Sequence, residues 1–458
     1  MSIAVQAAAL AAARVVQWRH EQRRQRRPVR RRIGAHRRSR NQVEDIYQQL
    51  GPTNFKKAYR MKYHSFKRLA RKLRNGIIEF SLVRKQRNHN SSSSPPKRKY
   101  RYVPNGPITS SVRLACALRY FAGGSPYDIM TSYCIGYTDM INSVWYVVDA
   151  INAYSEFQIS YPADHEEQQA IAEGFRRKSA ANFDCCAGAI DGILVWIHKP
   201  SQEECTKAGC SDGKFFCGRK HKFGLNCQAV CNSQGKFLDM SIIYPGSTSD
   251  CLAFEGMSLY SRMENGLLAP GLCLFGDNAY LNSVYMATPY SGVSGGSKDA
   301  YNFYHSQLRI NIECAFGMFT HRWAILRRAI PMRVSLKKTI ALVVALAKLH
   351  NFCIDANETH AQPSPARDEL RTEMQGGVPL EATTTSMAGS QVLTPRQLLD
   401  GGLHFDDIDP PARRRRVRQY QAQADALHQE LPRDFLHNLI DGANLTRPPV
   451  LRRVRPSS

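Results

Sequence analysis

The stretch Cys185–His198 (CCAGAIDGILVWIH) is an apolar run with a single acid, Asp191, inside it. It reads as a buried strand, and a carboxylate there is costly unless it is paired or bound to a cation. The run that calls for a covered sheet therefore also singles out one side chain. Leu225–Val230 and Phe237–Tyr244 read as two more strands, joined by the turn Asn232-Ser233-Gln234-Gly235. Ser249–Met263 reads as a helix, and Leu272–Phe275 as a short strand ended by Gly276-Asp277-Asn278. Long helices fit Asp299–Leu326 and Ser335–Phe352. Strands followed by helices around a mixed sheet predict an α/β domain over residues 180–355.

The chain ahead of this domain is helical in pattern. Over residues 43–86, Phe55, Tyr59, Phe66, Leu69 and Leu73 recur at helical spacing among Lys and Arg, so one face can pack while the other stays charged. Residues 87–107, with the run NHNSSSSPP at 88–96, form an expected linker. Residues 108–160 read as helix, turn, helix, turn, helix. Breaks fall at Gly123-Gly124 and Gly136, with Ser125-Pro126 opening the second helix and Thr138 capping the third. This layout suits a helix-turn-helix module whose last helix enters a major groove. The alternative is a helical subdomain packed on the next domain. The last helix, Thr138–Ala150, carries Asp139 and Asp149 and no Lys or Arg, which weighs against groove reading.

Charge identifies a class of partner. The 458 residues carry 63 Lys+Arg against 38 Asp+Glu, a net +25, and such a chain attracts polyanions, nucleic acid above all. Residues 1–42 form an expected disordered basic arm, 356–411 a disordered linker, and 412–458 a basic tail with a helix at Arg415–Leu431. The longest apolar run, Ile340–Ala347, is too short to cross a membrane. The odd count of 13 scattered Cys suggests reduced thiols.

Three acids of the α/β domain stand in unusual places. Asp191 interrupts the buried strand. Asp277 directly follows a short apolar strand, where open α/β sheets place their ligands. Glu313 lies in the long helix between apolar Ile312 and Phe316. Carboxylates converging from two strands and a helix suit hard cations such as Mg²⁺, and two such ions can serve in-line displacement at phosphorus. Each acid also has an ordinary explanation: a strand-end cap or Lys pair for Asp191, a turn for Asp277-Asn278, and an ion pair with Arg309 for Glu313.

The order and wording of these segments resemble the endonuclease domain of PIF/Harbinger-type transposases, of the DDE superfamily with a ribonuclease H-like fold. The resembling segments are Ala189-Ile190-Asp191-Gly192, Pro245-Gly246-Ser247-Thr248-Ser249-Asp250 and Gly276-Asp277-Asn278-Ala279-Tyr280. The helix bearing Asn302, His305, Ser306, Arg309, Glu313, Ala315, Phe316 and Gly317, then Arg322-Trp323 and Leu349-His350-Asn351-Phe352, completes the set. The 35 residues between Asp277 and Glu313 match the spacing of the superfamily's second and third acids.

The resemblance implies a metal-dependent DNA endonuclease or transposase. Asp191, Asp277 and Glu313 would be its catalytic, metal-binding acids and Mg²⁺ or Mn²⁺ its cofactor, with two ions. Asp250 and Arg309 are accessory candidates, and Arg219, Lys220 and Lys222 candidate DNA contacts. It further implies double-stranded DNA as partner, with a Myb-like DNA-binding protein delivering the nuclease, and a homo-oligomer is a further expectation. A catalytically inactive DNA-binding or scaffold protein of transposase descent is the alternative.

Two further expectations concern metal and compartment. Cys205, Cys210, Cys217 and His221 form a Cys/His group that Zn²⁺ could accept, but the spacing is irregular for a finger and ordinary cysteines explain it better. The clusters Lys97-Arg98-Lys99 and Arg413–Arg416 are of nuclear-import type, so the nucleus is expected, with cytoplasm, or an organelle reached through the Arg-rich arm, as alternatives.

Overall fold

Two helices open the described part of the chain, α1 (Val43–Tyr59) and α2 (Tyr63–Asn90), folded back on each other at Arg60, which takes the left-handed conformation (φ 63°). The structure is a computed structural model describing residues 40–90, 107–330, 334–358, 418, 419, 422 and 431–448. The expected basic arm, the expected linker beyond 358 and the proposed helix Arg415–Leu431 fall largely outside them. The five residues expected to share a helical face, Phe55, Tyr59, Phe66, Leu69 and Leu73, are all buried. The expected linker at 87–107 begins as helix, because α2 runs on to Asn90.

Three shorter helices come next: α3 (Ser110–Phe121), α4 (Pro126–Tyr133) and α5 (Tyr137–Ala153). Thr109 caps α3 by accepting from the Val112 N–H, and Ser125 caps α4 with Pro126 in its first turn. The cap of α5 is Gly136 rather than Thr138, which lies inside the helix. Met140, Val144, Val147, Val148 and Ile151 are buried, so one face of α5 packs inward, while Tyr137, Thr138 and Asp139 at its start are exposed. The helical region is therefore a subdomain packed on the α/β domain. The described residues from Asn41 to Asn90 and from Ile108 onward pack as one compact unit.

The sheet has six strands: β1 (Cys186–Trp196), β2 (Phe216–Cys217), β3 (Lys222–Cys231), β4 (Phe237–Pro245), β5 (Cys273–Phe275) and β6 (Met286–Ala287). Their order is β4-β3-β1-β5-β6, with β2 pairing antiparallel with the first residues of β3. β3 runs antiparallel to β1 and β4, whereas β1, β5 and β6 are parallel. This is the mixed α/β arrangement expected of a ribonuclease H-like core. One face packs Ile190, Val230 and Leu274 against α8 (Asp250–Glu255) and α9 (Ser258–Glu264). The other packs Ala189, Cys231 and Phe275 against α10 (Gly296–Arg322) and α11 (Leu336–Asp355).

Several boundaries differ from the sequence expectation. Ser249–Met263 is two helices broken at Gly256-Met257, since a Cβ on Gly256 would fall 1.7 Å from the Tyr244 hydroxyl oxygen, so the chain must bend past that ring. α10 starts at Gly296 and stops at Arg322, where a 3₁₀ turn, Ala324–Arg327, takes over. The helices α6 (His165–Arg176), α7 (Gln202–Ala208) and α12 (Pro432–Gly442), and the short strands β2 and β6, were not anticipated. α12 buries Leu436 and Ile440 and packs on α10 and β6. No helix among the described residues is long and apolar enough to cross a membrane.

Candidate functional site

The parallel pairing of β1 with β5 sets Ala189 opposite Phe275. Asp191 and Asp277 each lie two residues further along, so both carboxylates stand at the same level beyond the end of β5 and on the side of the sheet facing α10. Asp277 does form the turn that was its ordinary explanation, since its Oδ1 accepts from the Ala279 N–H at 2.9 Å. The turn holds the carboxylate in place and leaves its other oxygen available.

The pair is electrostatically costly. Burial first, then the neighbouring Asp277, pushes the Asp191 carboxyl up to about 7, although the Gly192 N–H and Arg309 act against the rise. Asp277 is also raised, by burial and by Asp250, with the Ala279 N–H, Arg309 and Arg219 opposing. Two level, buried acids whose ionisation burial and a neighbouring carboxylate disfavour form a cation-seeking site.

Asp250 joins them from the other face of the sheet. Its Oδ1 accepts from Gln228 Nε2 at 2.8 Å and from Asn226 Nδ2 at 3.1 Å. Gln228 Oε1 in turn accepts the hydroxyl of Tyr280, three residues after Asp277, at 2.5 Å. Gln228 lies opposite Gly192 in the β1–β3 ladder. A Cβ on Gly192 would come within 2.3 Å of Asp250 Oδ1 and 2.5 Å of Gln228 Nε2, so only glycine lets this network close beside Asp191. Sequence reasoning missed Gln228, Asn226 and Tyr280. The available signal was two amides at alternate positions of an otherwise apolar strand.

Glu313 is placed differently. Its Oε1 lies 2.6 Å from Arg309 Nη1, so the ion pair that was its ordinary explanation is formed. Arg309 acts on Asp191 and Asp277 as well, standing electrostatically between them and Glu313. Among the described residues, no group of three or more His, Cys, Asp and Glu is assembled to hold a metal. That holds for the three expected acids and equally for Cys205, Cys210, Cys217 and His221; all thirteen cysteines are free thiols. The hard oxygen donors of Asp191 and Asp277 fit a divalent cation, while Glu313 in this arrangement is engaged by Arg309.

The candidate DNA contacts sit on the β2–β3 hairpin. Arg219 is exposed and reaches within 3.8 Å of Asp250 Oδ2. Lys222 Nζ stacks 3.2 Å from the centre of the Trp196 ring. Lys220 lies in the turn between them, partly buried. His305 is wholly buried against Phe275, and its ring is pushed down to about 4, so it is a neutral core group bonded to the Ala287 carbonyl.

With this geometry in place, comparison with known proteins gives a consistent result. The profile of the DDE superfamily endonuclease family matches residues 190–351. This segment is similar to DDE superfamily endonuclease domains. Its boundaries run from Ile190, within β1, through most of α11, with Asp191, Asp250, Asp277 and Glu313 inside. The chain is 26% identical over 250 residues to the human protein named "Putative nuclease HARBI1", covering 54% of this chain and 68% of that protein. The bovine protein of the same name is 25% identical over the same length and shares. "Protein ALP1-like" of Arabidopsis thaliana is 23% identical over 275 residues, 57% of this chain and 64% of the relative. No solved structure matches significantly. The domain's kinship with the DDE superfamily, expected from the sequence, is thus borne out.

Proposed function

We propose that the chain is a divalent-metal-dependent endonuclease of transposase descent, acting on double-stranded DNA. The observation that carries this reading is the level pair of Asp191 within β1 and Asp277 just beyond the parallel β5, both raised by burial and Asp191 also by Asp277, inside a segment similar to DDE endonuclease domains. On this reading Asp191 and Asp277 hold Mg²⁺ or Mn²⁺, two ions in the working state, with Glu313 joining them once released from Arg309. Bound there, the cation supplies charge neutralisation and an activated water for attack at phosphorus. The chain's own contribution is positional. Gln228 and Asn226 fix Asp250, the Ala279 N–H fixes Asp277, and Arg219 meets the phosphate beside the acids. Strand transfer by the released 3′-hydroxyl, a nuclear location, self-association and delivery by a separate Myb-like DNA-binding protein belong to the same proposal. The absence of Lys and Arg from α5 supports the need for such a partner.

The test is cleavage of supercoiled plasmid with Mg²⁺ or Mn²⁺ by wild type, Asp191→Asn, Asp277→Asn and Glu313→Gln. Loss of nicking in all three variants with DNA binding retained supports the reading. Nicking by the Asp191→Asn variant at the wild-type rate would overturn it. One observation favours a second reading, a DNA-binding protein without nuclease activity: the Arg309–Glu313 ion pair keeps the third acid from the pair. Binding without cleavage in either metal would select it.

A further inference from the structure

A second cationic centre lies away from the acids, where the α1–α2 turn, α3 and the end of α10 meet. Arg322 closes α10, is 2% exposed, and donates to the main-chain oxygens of Arg60 at 3.3 Å and Glu358 at 2.9 Å. Arg119 on α3 donates to the Ala58 oxygen at 3.2 Å, two residues before Arg60. Arg327, in the 3₁₀ turn, donates to Thr320 O at 3.2 Å and contacts His321 Nδ1 at 2.6 Å. A Cβ on Gly123, just after α3, would sit 3.2 Å from Ala324 Cβ, which shows how closely the two regions approach.

The Arg119, Arg322 and Arg327 guanidinium groups bond main-chain carbonyls, an imidazole and, for Arg322, the Cys353 thiol, and among the described residues no ion pair between Arg60, Arg119, Arg322 or Arg327 and a carboxylate is formed. The Glu358 carboxylate is engaged by Ser65 at 2.6 Å instead. The Nε atoms of Arg60 and of the buried Arg322 are enclosed without a hydrogen-bond partner. Burial and the neighbouring charges of Arg327, Arg119 and Arg322 depress the Arg60 guanidinium. A protein gathers like charges in this way at a cost, which an arriving anion relieves. The planar, five-donor fork of arginine matches phosphate oxygens.

We propose that Arg60, Arg119 and Arg327, backed by the buried Arg322, form a binding site for the phosphate backbone of double-stranded DNA at the junction of the helical region and the endonuclease domain. This rests on the nuclease reading for its choice of DNA, and it adds a second anchoring point besides the Arg219–Lys222 hairpin. Such a site holds the duplex at two places and fixes its path across the molecule.

The experiment is fluorescence anisotropy of the full chain with a labelled duplex across a NaCl series, for wild type, Arg327→Gln, Arg60→Gln, the double variant and Arg327→Lys, each checked by thermal melting. The log–log salt slope should fall by about one for each phosphate contact removed, with lysine restoring the Arg327 share. Arg327 is exposed, so its variant carries the test even if Arg60→Gln melts early. A well-folded Arg327→Gln protein with the wild-type slope and affinity overturns the site while leaving the nuclease reading standing. A wild-type protein that binds single-stranded RNA but no duplex overturns both. Duplex binding lost only in hairpin variants such as Arg219→Gln overturns the site alone.

Discussion

Arg309 Nη1 holds Glu313 Oε1 at 2.6 Å while its charge also steadies Asp191 and Asp277. One guanidinium thus provides the positive charge around which all three acids are arranged. Arg309→Gln should therefore bind Mn²⁺ about tenfold more tightly, ~1.4 kcal/mol, because a competing cation is gone. Isothermal titration calorimetry checks this. Weaker binding would mean that Arg309 orients Glu313 for the ion rather than competing with it.

Asp191→Asn should stabilise the metal-free protein, with a gain that depends on pH. The carboxyl titrates near 3.8 when unfolded and is raised to about 7 in the fold. Between those values the folded state holds more protons than the unfolded one, so the wild type loses stability as pH rises through the window. The asparagine variant lacks this loss. Its advantage should be small near pH 4, grow towards pH 7 and stay level above, at about 4 kcal/mol. Melting temperatures at pH 5 and pH 8 decide it: equal differences at both would refute the assignment.

Gly192→Ala introduces a Cβ into the space of Asp250 Oδ1 and Gln228 Nε2. The expected cost is about 1–3 kcal/mol, from overpacking and displaced hydrogen bonds. Chemical denaturation measures it, and a variant as stable as wild type would show that the network closes more loosely than its distances imply.

Gln228→Leu keeps the bulk and removes the three amide hydrogen bonds, to Asn226, Asp250 and Tyr280. It leaves the buried Tyr280 hydroxyl without its acceptor and Asp250 with one side-chain donor fewer, at about 1–3 kcal/mol. Pairing it with Tyr280→Phe in a double-mutant cycle should recover part of the loss, since both ends of the bond are then gone. Strict additivity would argue that the two side chains do not act together.

Much of this architecture was readable from residue order. The apolar runs marked the central strands, and Asp191 and Asp277 were conspicuous because charge is rare in such settings. What could not be read was register. Only the pairing of Ala189 with Phe275 makes the two acids level, and pairing between strands distant in sequence is decided by tertiary packing. The Gln228 network was hidden for the same reason, as its members come from β3, α8 and the turn after β5. α6 was missed because its buried positions, Gln168, Ala172 and Phe175, include a polar side chain that bonds Pro162 O and Leu267 O. Glu313 was placed correctly on its helix, but its carboxylate answers to a neighbour on that helix, a local preference that convergence of the acids has to overcome.

The docking of α5 on α11 has a practical side. Lys348 donates to Asn152 O at 2.9 Å, Asn152 donates back to Ala341 O at 2.8 Å, and Leu436 of α12 is sealed at the far end of the chain. Residues 190–351, cut out along the limits of family likeness, would expose these surfaces to water at both ends. The limits of family likeness thus cut through packed contacts, so ancestry and packing divide this chain at different places.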